Sequence, residues 1–209
     1  TTTRITTSRT TLNVQTSGQG VPLVMLHGWP QSSYCWEGTV PLMGDAFQLI
    51  RPDLRGLGDS ERTVDVGDYC KNELAQDVLA ALDAMDVKEF ALVGHDWGGA
   101  VAQEVAVAAP DRVISLAVMN IHLINNPAGY AAADAVHAKQ LHRAYWYQCF
   151  MQTPALSEAM VPGNEEVWLK TFLRGNNKGW KFPAEALDEY IRCYSIAGTA
   201  TSGANYYRA

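Results

Sequence analysis

The segment FALVGHDWGG, residues 90–99, decides the fold. Phe90–Gly94 is a continuous apolar run, which is typical of a strand buried on both faces. Gly98–Ala109 follows as a helix of small residues that ends at Pro110. The backbone must double back between strand and helix, and the flanking glycines give it the room to do so. The segment therefore predicts a sharp strand–turn–helix with Asp96 at the apex.

Further apolar runs place this turn in a sheet. Three of them predict buried strands: Pro22–His27, Phe47–Arg51 and Val113–Met119. Before the first of these, Arg4–Thr7 and Thr11–Thr16 are rich in β-branched threonine and predict a hairpin-like start, with turn residues at Ser17 and Gly18.

One helix is predicted between the apolar runs Phe47–Arg51 and Phe90–Gly94. A spacing of i, i+4, i+8 and i+11 puts four apolar residues on one face, which are Leu74, Val78, Leu82 and Met85. Asp68 is a candidate N-cap for it. Strands that alternate with helices predict an α/β fold with a mostly parallel sheet wrapped by helices.

The character of the chain changes after Asn120. Asn125–Gly129 forms a break, and the rest is helical in period, rich in Trp and Tyr, and interrupted by prolines. We therefore expect two parts, the α/β core over residues 1–120 and a helical lid over residues 121–209. An independent helical domain is the alternative.

Composition excludes several function classes. With 16 basic and 22 acidic side chains the net charge is −6, which argues against a nucleic-acid or anionic membrane partner. Neither a membrane span nor a signal peptide is predicted, so we expect a cytoplasmic protein. The four cysteines are far apart in sequence and predict free thiols, with no metal site.

The residue types around Asp96 select among possible turns. A phosphate-binding loop would place Lys and Ser or Thr after the glycines, but Ala100 and Val101 follow here. The apex of a strained turn beside a helix N-terminus exposes a side chain and favours an anion. The segment therefore predicts a nucleophile elbow with Asp96 as the nucleophile.

Two further motifs and the aromatic lid connect the chain to a known family. They are His27-Gly28-Trp29-Pro30 and Asp53-Leu54-Arg55-Gly56-Leu57-Gly58-Asp59-Ser60. With the elbow, they make the whole chain resemble the α/β-hydrolase superfamily and, within it, the epoxide hydrolases. The resemblance implies the α/β-hydrolase fold and attack of Asp96 on an sp3 carbon. Water would later hydrolyse the resulting ester, with no cofactor and no metal.

The resemblance also assigns the remaining site residues. The backbone amides of Trp29 and Trp97 would form the oxyanion hole. The segment from Tyr147 to Pro154 resembles the family's first lid-tyrosine segment, and Asn205-Tyr206-Tyr207-Arg208 resembles the second. Tyr147 and Tyr207 would hydrogen-bond the epoxide oxygen as it leaves. Phe150 and Met151 would line a pocket for a small apolar epoxide, with water as the second substrate.

Two alternative functions stay open. Dehalogenases of the superfamily use the same aspartate, although Trp29 stands where some of them carry a halide-binding Asn, and Asn120 stands where that subgroup has its acid. Dehalogenases that hold the halide with lid aromatics are less well excluded, since Trp97 and Trp146 could donate. A non-catalytic binding protein of the same fold is the other alternative.

The family mechanism also needs a histidine that activates water and an acid that orients it. The five histidines, which are His27, His95, His122, His137 and His142, do not occupy that position. We expect the base, its acid and the last strands beyond residue 209, which would leave the apolar strand Val113–Met119 with an unpaired edge. The oligomeric state, with a homodimer as one option, stays open.

Overall fold

The computed structural model describes residues 1–43, 46–138, 145–173 and 182–209. A six-stranded sheet forms its α/β part, in the order β1-β2-β4-β3-β5-β6. The strands are β1 (Thr2–Thr6), β2 (Thr11–Ser17), β3 (Val21–Leu26), β4 (Phe47–Pro52), β5 (Phe90–His95) and β6 (Val113–Met119). Strands β4, β3, β5 and β6 are parallel, whereas β1 and β2 form the antiparallel hairpin at one side. The predicted fold class is confirmed.

In the described part of the chain, two α-helices belong to the α/β part and six follow it. Helices α1 (Lys71–Ala84) and α2 (Trp97–Ala108) pack on each other, and α2 also packs on β5 and β6. The later helices are α3 (Pro127–His137), α4 (Trp146–Gln152), α5 (Leu156–Met160), α6 (Glu165–Leu173), α7 (Ala184–Tyr194) and α8 (Thr199–Arg208). The boundary at residue 120 stays a prediction. Over the described ranges, no helix is long and apolar enough to cross a bilayer.

Helix α1 forms on the predicted face but begins later than Asp68. Leu74, Val78 and Leu82 are each no more than 2% exposed and point into the core. The prediction of Asp68 as N-cap is wrong, because Asp68 lies in a short 3₁₀ turn and the helix starts at Lys71. The Asp68 carboxylate instead pairs with the Arg55 guanidinium at 3.2 Å.

Strand β6 is not the buried strand that its apolar sequence predicts. Ile114, Leu116 and Met119 are 60%, 40% and 41% exposed. The reason is its place in the sheet, since β5 is its neighbour on one side and no described strand pairs with the other. It is therefore the apolar edge that the sequence analysis expects if the last strands lie after residue 209.

A buried ion pair ties the loop after β4 to helix α1. The Arg55 guanidinium forms two hydrogen bonds of 2.7 Å to the carboxylate of Asp77, whose side chain is 1% exposed. Arg9 adds a third contact to the same carboxylate at 3.0 Å. Because a buried charge is costly without its partner, this pair fixes the loop on the helix.

We expect Asp77→Ala to lower the free energy of unfolding by about 3 kcal/mol, because it removes the buried partner of Arg55 and leaves only the more exposed carboxylate of Asp68. Urea denaturation of the 209-residue chain measures the change. The matched control is Asp83→Ala on the same helix, since Asp83 is exposed and pairs with Arg112 on the surface. The control should change stability by less than about 1 kcal/mol. Equal losses in the two variants would contradict this account.

Candidate active site

Asp96 occupies a strained turn between β5 and α2. Its φ is +53° and its ψ is −126°, a backbone conformation that residues other than Gly rarely adopt. The turn needs close backbone approach, since a Cβ on Gly94 would overlap the carbonyl of Gly98. A Cβ on Gly98 would in turn overlap the carbonyl of His27, the residue directly after the neighbouring strand β3. The predicted strand–turn–helix is therefore present, with Asp96 at its apex.

The backbone amides of Trp29 and Trp97 both act on the Asp96 carboxylate. The N–H of Trp29 donates to Oδ1 at 3.0 Å, and the N–H of Trp97, the next residue in the chain, lowers the pKa of the same carboxyl. Both are the amides that the family resemblance selects for the oxyanion hole. The Asp96 amide itself donates to the carbonyl of Met119 at 2.9 Å, which ties the turn to β6. The structure thus brings the predicted nucleophile and both predicted donors together, while their catalytic roles stay predictions.

Burial dominates the electrostatics of Asp96. Removal of the carboxylate from water raises its pKa above the ordinary value, and this outweighs the opposite effect of the Trp97 and Trp29 amides and of His95. A helix N-terminus alone would favour the anion, as the sequence analysis expects. The carboxylate is therefore less well stabilised than an exposed one, and an anion of this kind has more to gain by forming a covalent bond.

His27 supports the loop that carries Trp29. The side chain is fully buried, and its Nε2 accepts a hydrogen bond from the Leu54 amide at 3.0 Å. Since Nε2 accepts, the proton lies on Nδ1, which donates to the carbonyl of Gly28 at 2.9 Å. Burial lowers the pKa of His27, so the imidazole stays neutral. Both nitrogens are occupied, and His27 acts as a brace for the loop.

Gly28 lets this loop approach the nucleophile. A Cβ at position 28 would lie 2.5 Å from Cβ of Asp96 and 2.7 Å from its Oδ1. Any larger residue would push the Trp29 amide away from the carboxylate. Neither His27 nor Gly28 has a role that the sequence alone reveals beyond their motif, although a glycine next to a buried strand end is a signal for such an approach.

The two predicted lid tyrosines contact each other and the ring of Trp29. Tyr147 lies in α4 and stacks on Trp29, with ring centroids 5.6 Å apart and planes at 5°. Tyr207 lies in α8 and sets its ring edge-on against Trp29 and Trp97, at 5.3 Å in both cases. The Tyr147 and Tyr207 rings are themselves 5.7 Å apart. Side chains far apart in sequence therefore form one cluster beside Asp96.

Both phenols keep their protons at neutral pH. Burial raises the pKa of Tyr207 far above its ordinary value, and the nearby Tyr147 and Asp96 raise it further. Burial also raises the pKa of Tyr147, to which Asp96 contributes in the same direction. Each hydroxyl can thus donate a hydrogen bond to an oxygen that develops negative charge near Asp96.

The predicted pocket residues lie at different depths. Phe150 is half-buried and its ring centroid is 4.8 Å from that of Trp168. Met151 is 0% exposed and belongs to the hydrophobic core, while its carbonyl accepts a hydrogen bond from Arg208 at 2.9 Å. The structure thus makes Met151 a packing residue of the hydrophobic core, and its role as pocket wall stays a prediction.

Other aromatic residues complete the cluster and were not singled out from the sequence. Trp168 and Phe172 on α6 contact Trp29 edge-on, at 6.3 and 5.0 Å between centroids, and Tyr194 does so at 6.3 Å. The i, i+4 spacing of Trp168 and Phe172 is a signal for a shared face, but it does not show which surface that face meets.

The described residues contain one group with the right atoms for a metal, formed by Asp59, Glu189 and Cys193. Arg192 already pairs with both carboxylates at 2.7 Å. Of the histidines, His142 and the side chain of His137 lie outside what the structure describes.

Comparisons with known proteins agree with this geometry. The alpha/beta hydrolase fold family model matches residues 21–191. The chain is 32% identical to a soluble epoxide hydrolase from Corynebacterium sp. (strain C12), over 92% of this chain and 66% of that protein. It is 34% identical to a fluoroacetate dehalogenase from Burkholderia sp, over 95% of this chain and 66% of that protein.

A solved structure extends the similarity to three dimensions. The epoxide hydrolase CorEH without ligand superposes with a TM-score of 0.83 at 30% identity, over 100% of this chain and 72% of that one. The chain spans just under two thirds of the length of the two curated relatives. With the elbow, the two amides and these matches in view, the chain belongs to the α/β-hydrolase superfamily and, within it, to the epoxide hydrolase family.

Proposed function

We propose that this chain opens a small apolar epoxide through a covalent ester on Asp96. A carboxylate oxygen of Asp96 attacks a ring carbon, and the bond between that carbon and the ring oxygen breaks. The electron pair goes to the ring oxygen, which is hydrogen-bonded and then protonated by the phenols of Tyr147 and Tyr207. One observation carries the proposal: the rings of Tyr147 and Tyr207 pack against Trp29, whose backbone amide donates to the Asp96 carboxylate.

Hydrolysis of the ester completes the reaction. Water attacks the carbonyl carbon of the ester, and the negative charge that forms on its oxygen is stabilised by the amides of Trp29 and Trp97. Loss of the alkoxide frees the carboxylate. The two protons of the water go to the departing alkoxide and to the phenolate that ring opening left, so that one epoxide and one water yield one vicinal diol. The base for this step is expected beyond residue 209, and His27 does not supply it because both of its ring nitrogens are occupied.

Dehalogenation is the second candidate, because the fluoroacetate dehalogenase is as similar to this chain as the epoxide hydrolase is. Loss of a halide needs hydrogen-bond donors but no proton transfer, whereas the opened epoxide oxygen needs a proton that a protonated phenol can give. This difference favours an epoxide. A haloacid also brings a carboxylate that needs a cation, and Lys71, 5.4 Å from the ring centroid of Trp97, is a cation beside the cluster that could serve it.

Rapid-quench intact-mass measurement tests the first half of the reaction directly. The 209-residue chain is mixed with styrene oxide and stopped with acid at times from milliseconds to minutes. We expect the mass to rise by one molecule of epoxide per chain, and Asp96→Asn to abolish the rise because an amide is not a nucleophile for carbon. Asp83→Asn, an exposed carboxylate on α1, is the matched control and should react like the unchanged chain.

Three other results would each point elsewhere. Adduct formation that survives in Asp96→Asn would reject the nucleophile. Release of halide from a bromoalkane or a haloacid, without any adduct from styrene oxide, would favour the dehalogenase. A chain that binds the epoxide but never gains its mass would favour a non-catalytic binding protein.

We expect Tyr207→Phe and Tyr147→Phe each to slow adduct formation by about 10- to 100-fold. General acid catalysis as a whole contributes about 10²–10⁴-fold, and one phenol remains in each variant. The rate constant from the quench experiment is the measurement. Tyr130→Phe, on the exposed side chain that stacks on His122, should leave the rate unchanged. Unchanged rates in both lid variants would reject the phenols as proton donors.

A further inference from the structure

The loop after β4 holds the helix that carries Tyr207, and Arg62 is central to this contact. On the core side, the guanidinium donates to two backbone carbonyls of the loop, to Ser60 from Nη1 at 2.7 Å and to Gly58 from Nη2 at 2.6 Å. These bonds fix the orientation of the planar guanidinium, since they engage two of its donors in defined directions.

The same guanidinium reaches across to two lid helices. Its Nε donates to Oγ1 of Thr199, the first residue of α8, at 2.7 Å, and Nη2 donates to the carbonyl of Cys193 in the last turn of α7 at 3.2 Å. Carbonyls in the last turn of a helix lack partners within the helix and attract a cation. Arg62 therefore joins the end of one lid helix, the start of the next and the core loop.

The bonding of Arg62 is directional rather than ionic. Its recorded acceptors are three carbonyls and a hydroxyl, and no described carboxylate forms an ion pair with it. Burial lowers the pKa of its guanidinium, which Asp59 and Asp53 only partly offset. A half-buried cation that uses its donors on four neutral oxygens acts as a cross-link between the parts that supply them.

Other bonds continue this contact along α8. Ser202 Oγ donates to the Gly56 carbonyl at 2.7 Å, and Tyr206 Oη donates to the Arg55 carbonyl at 2.7 Å. Tyr206 is the neighbour of Tyr207 and is fully buried. A helix rises about 1.5 Å per residue, so Thr199 and Tyr207 are about 12 Å apart along one rigid rod. Fixing the start of this rod fixes the direction of the phenol at its end.

We propose that Arg62 is a positioning residue for Tyr207, which holds the phenol in place to donate to the epoxide oxygen. The inference rests on the proposed function, because it gives Tyr207 the role of proton donor. Arg62 touches neither Asp96 nor the phenols among its recorded contacts, so it acts through α8.

A double-mutant cycle tests this role. Arg62→Gln should slow adduct formation with styrene oxide by about 10- to 100-fold, because small misplacements of a catalytic group have effects of this size. In a Tyr207→Phe background, the same substitution should have little further effect, since the group that it positions is already gone. Arg62→Lys keeps the charge but not the planar fork of donors. Its rate of adduct formation should lie between the rates of the unchanged chain and of Arg62→Gln.

The matched control is Arg192→Gln. Arg192 also joins the lid to the core through Asp59, but its side chain is 48% exposed and pairs with carboxylates. Exposed pairs contribute little, so this variant should react like the unchanged chain. If Arg62→Gln fails to fold, Thr199→Val removes one of the four acceptors, and it should give a smaller loss of rate with the same dependence on Tyr207.

The outcomes separate the inference from the function on which it rests. Equal losses from Arg62→Gln in both backgrounds, or no loss in either, would overturn the positioning role while leaving Tyr207 as donor. No loss from Tyr207→Phe itself would reject the donor and the positioning role together. A loss from Arg62→Gln that vanishes in the Tyr207→Phe background supports both.

Discussion

The rest of the structure depends on one arrangement, in which the carboxylate of Asp96 lies in a strained, desolvated turn, accepts a hydrogen bond from the Trp29 amide and is stabilised as an anion by the adjacent Trp97 amide. Backbone donors keep the carboxylate oriented and leave its charge intact. A side-chain cation would neutralise that charge. The same two donors are then in place for the oxyanion of the ester that we propose. In the proposed reaction, the same backbone amides would first orient the nucleophile and later stabilise the oxyanion.

Much of the surrounding fold maintains this arrangement. Asp53 accepts hydrogen bonds from the Ser33 amide at 2.7 Å, the Asn13 side chain at 2.9 Å and the Asp59 amide at 3.0 Å. It thereby joins the loop after β3 to the loop after β4. The loop after β3 carries the Trp29 amide, and the loop after β4 supports α8. The Trp29 amide and the Tyr207 phenol, to which we assign the proposed roles, are therefore positioned by a common polar core.

The sequence was sufficient to predict the sheet and the elbow, because both follow from local patterns. Buried parallel strands are continuous apolar runs, and a sharp turn requires small residues beside its apex. The predictions for Asp68 and β6 failed for a reason that lies outside any local pattern. Asp68 pairs with Arg55 from another loop, and the exposure of β6 depends on what lies beside it in the sheet.

The site was predictable only in part, for the same reason. Asp96, Trp29, Trp97 and the lid tyrosines stand in motifs, so each could be named before its neighbours were known. The brace formed by His27 and the cross-link formed by Arg62 depend on contacts between distant segments. No spacing in the sequence reveals such contacts. The complete burial of Met151 is likewise set by how the helices after β6 pack against the core.

The central claim is that the carboxylate at position 96 is the atom group that bonds to substrate carbon. Peptide mapping by tandem mass spectrometry, after acid quench of the chain with styrene oxide, tests it most directly. The account predicts that the added mass lies on the side chain of Asp96, within the peptide that spans the elbow. A label on Cys149, on a histidine or on any other carboxylate, with Asp96 unmodified, would contradict it.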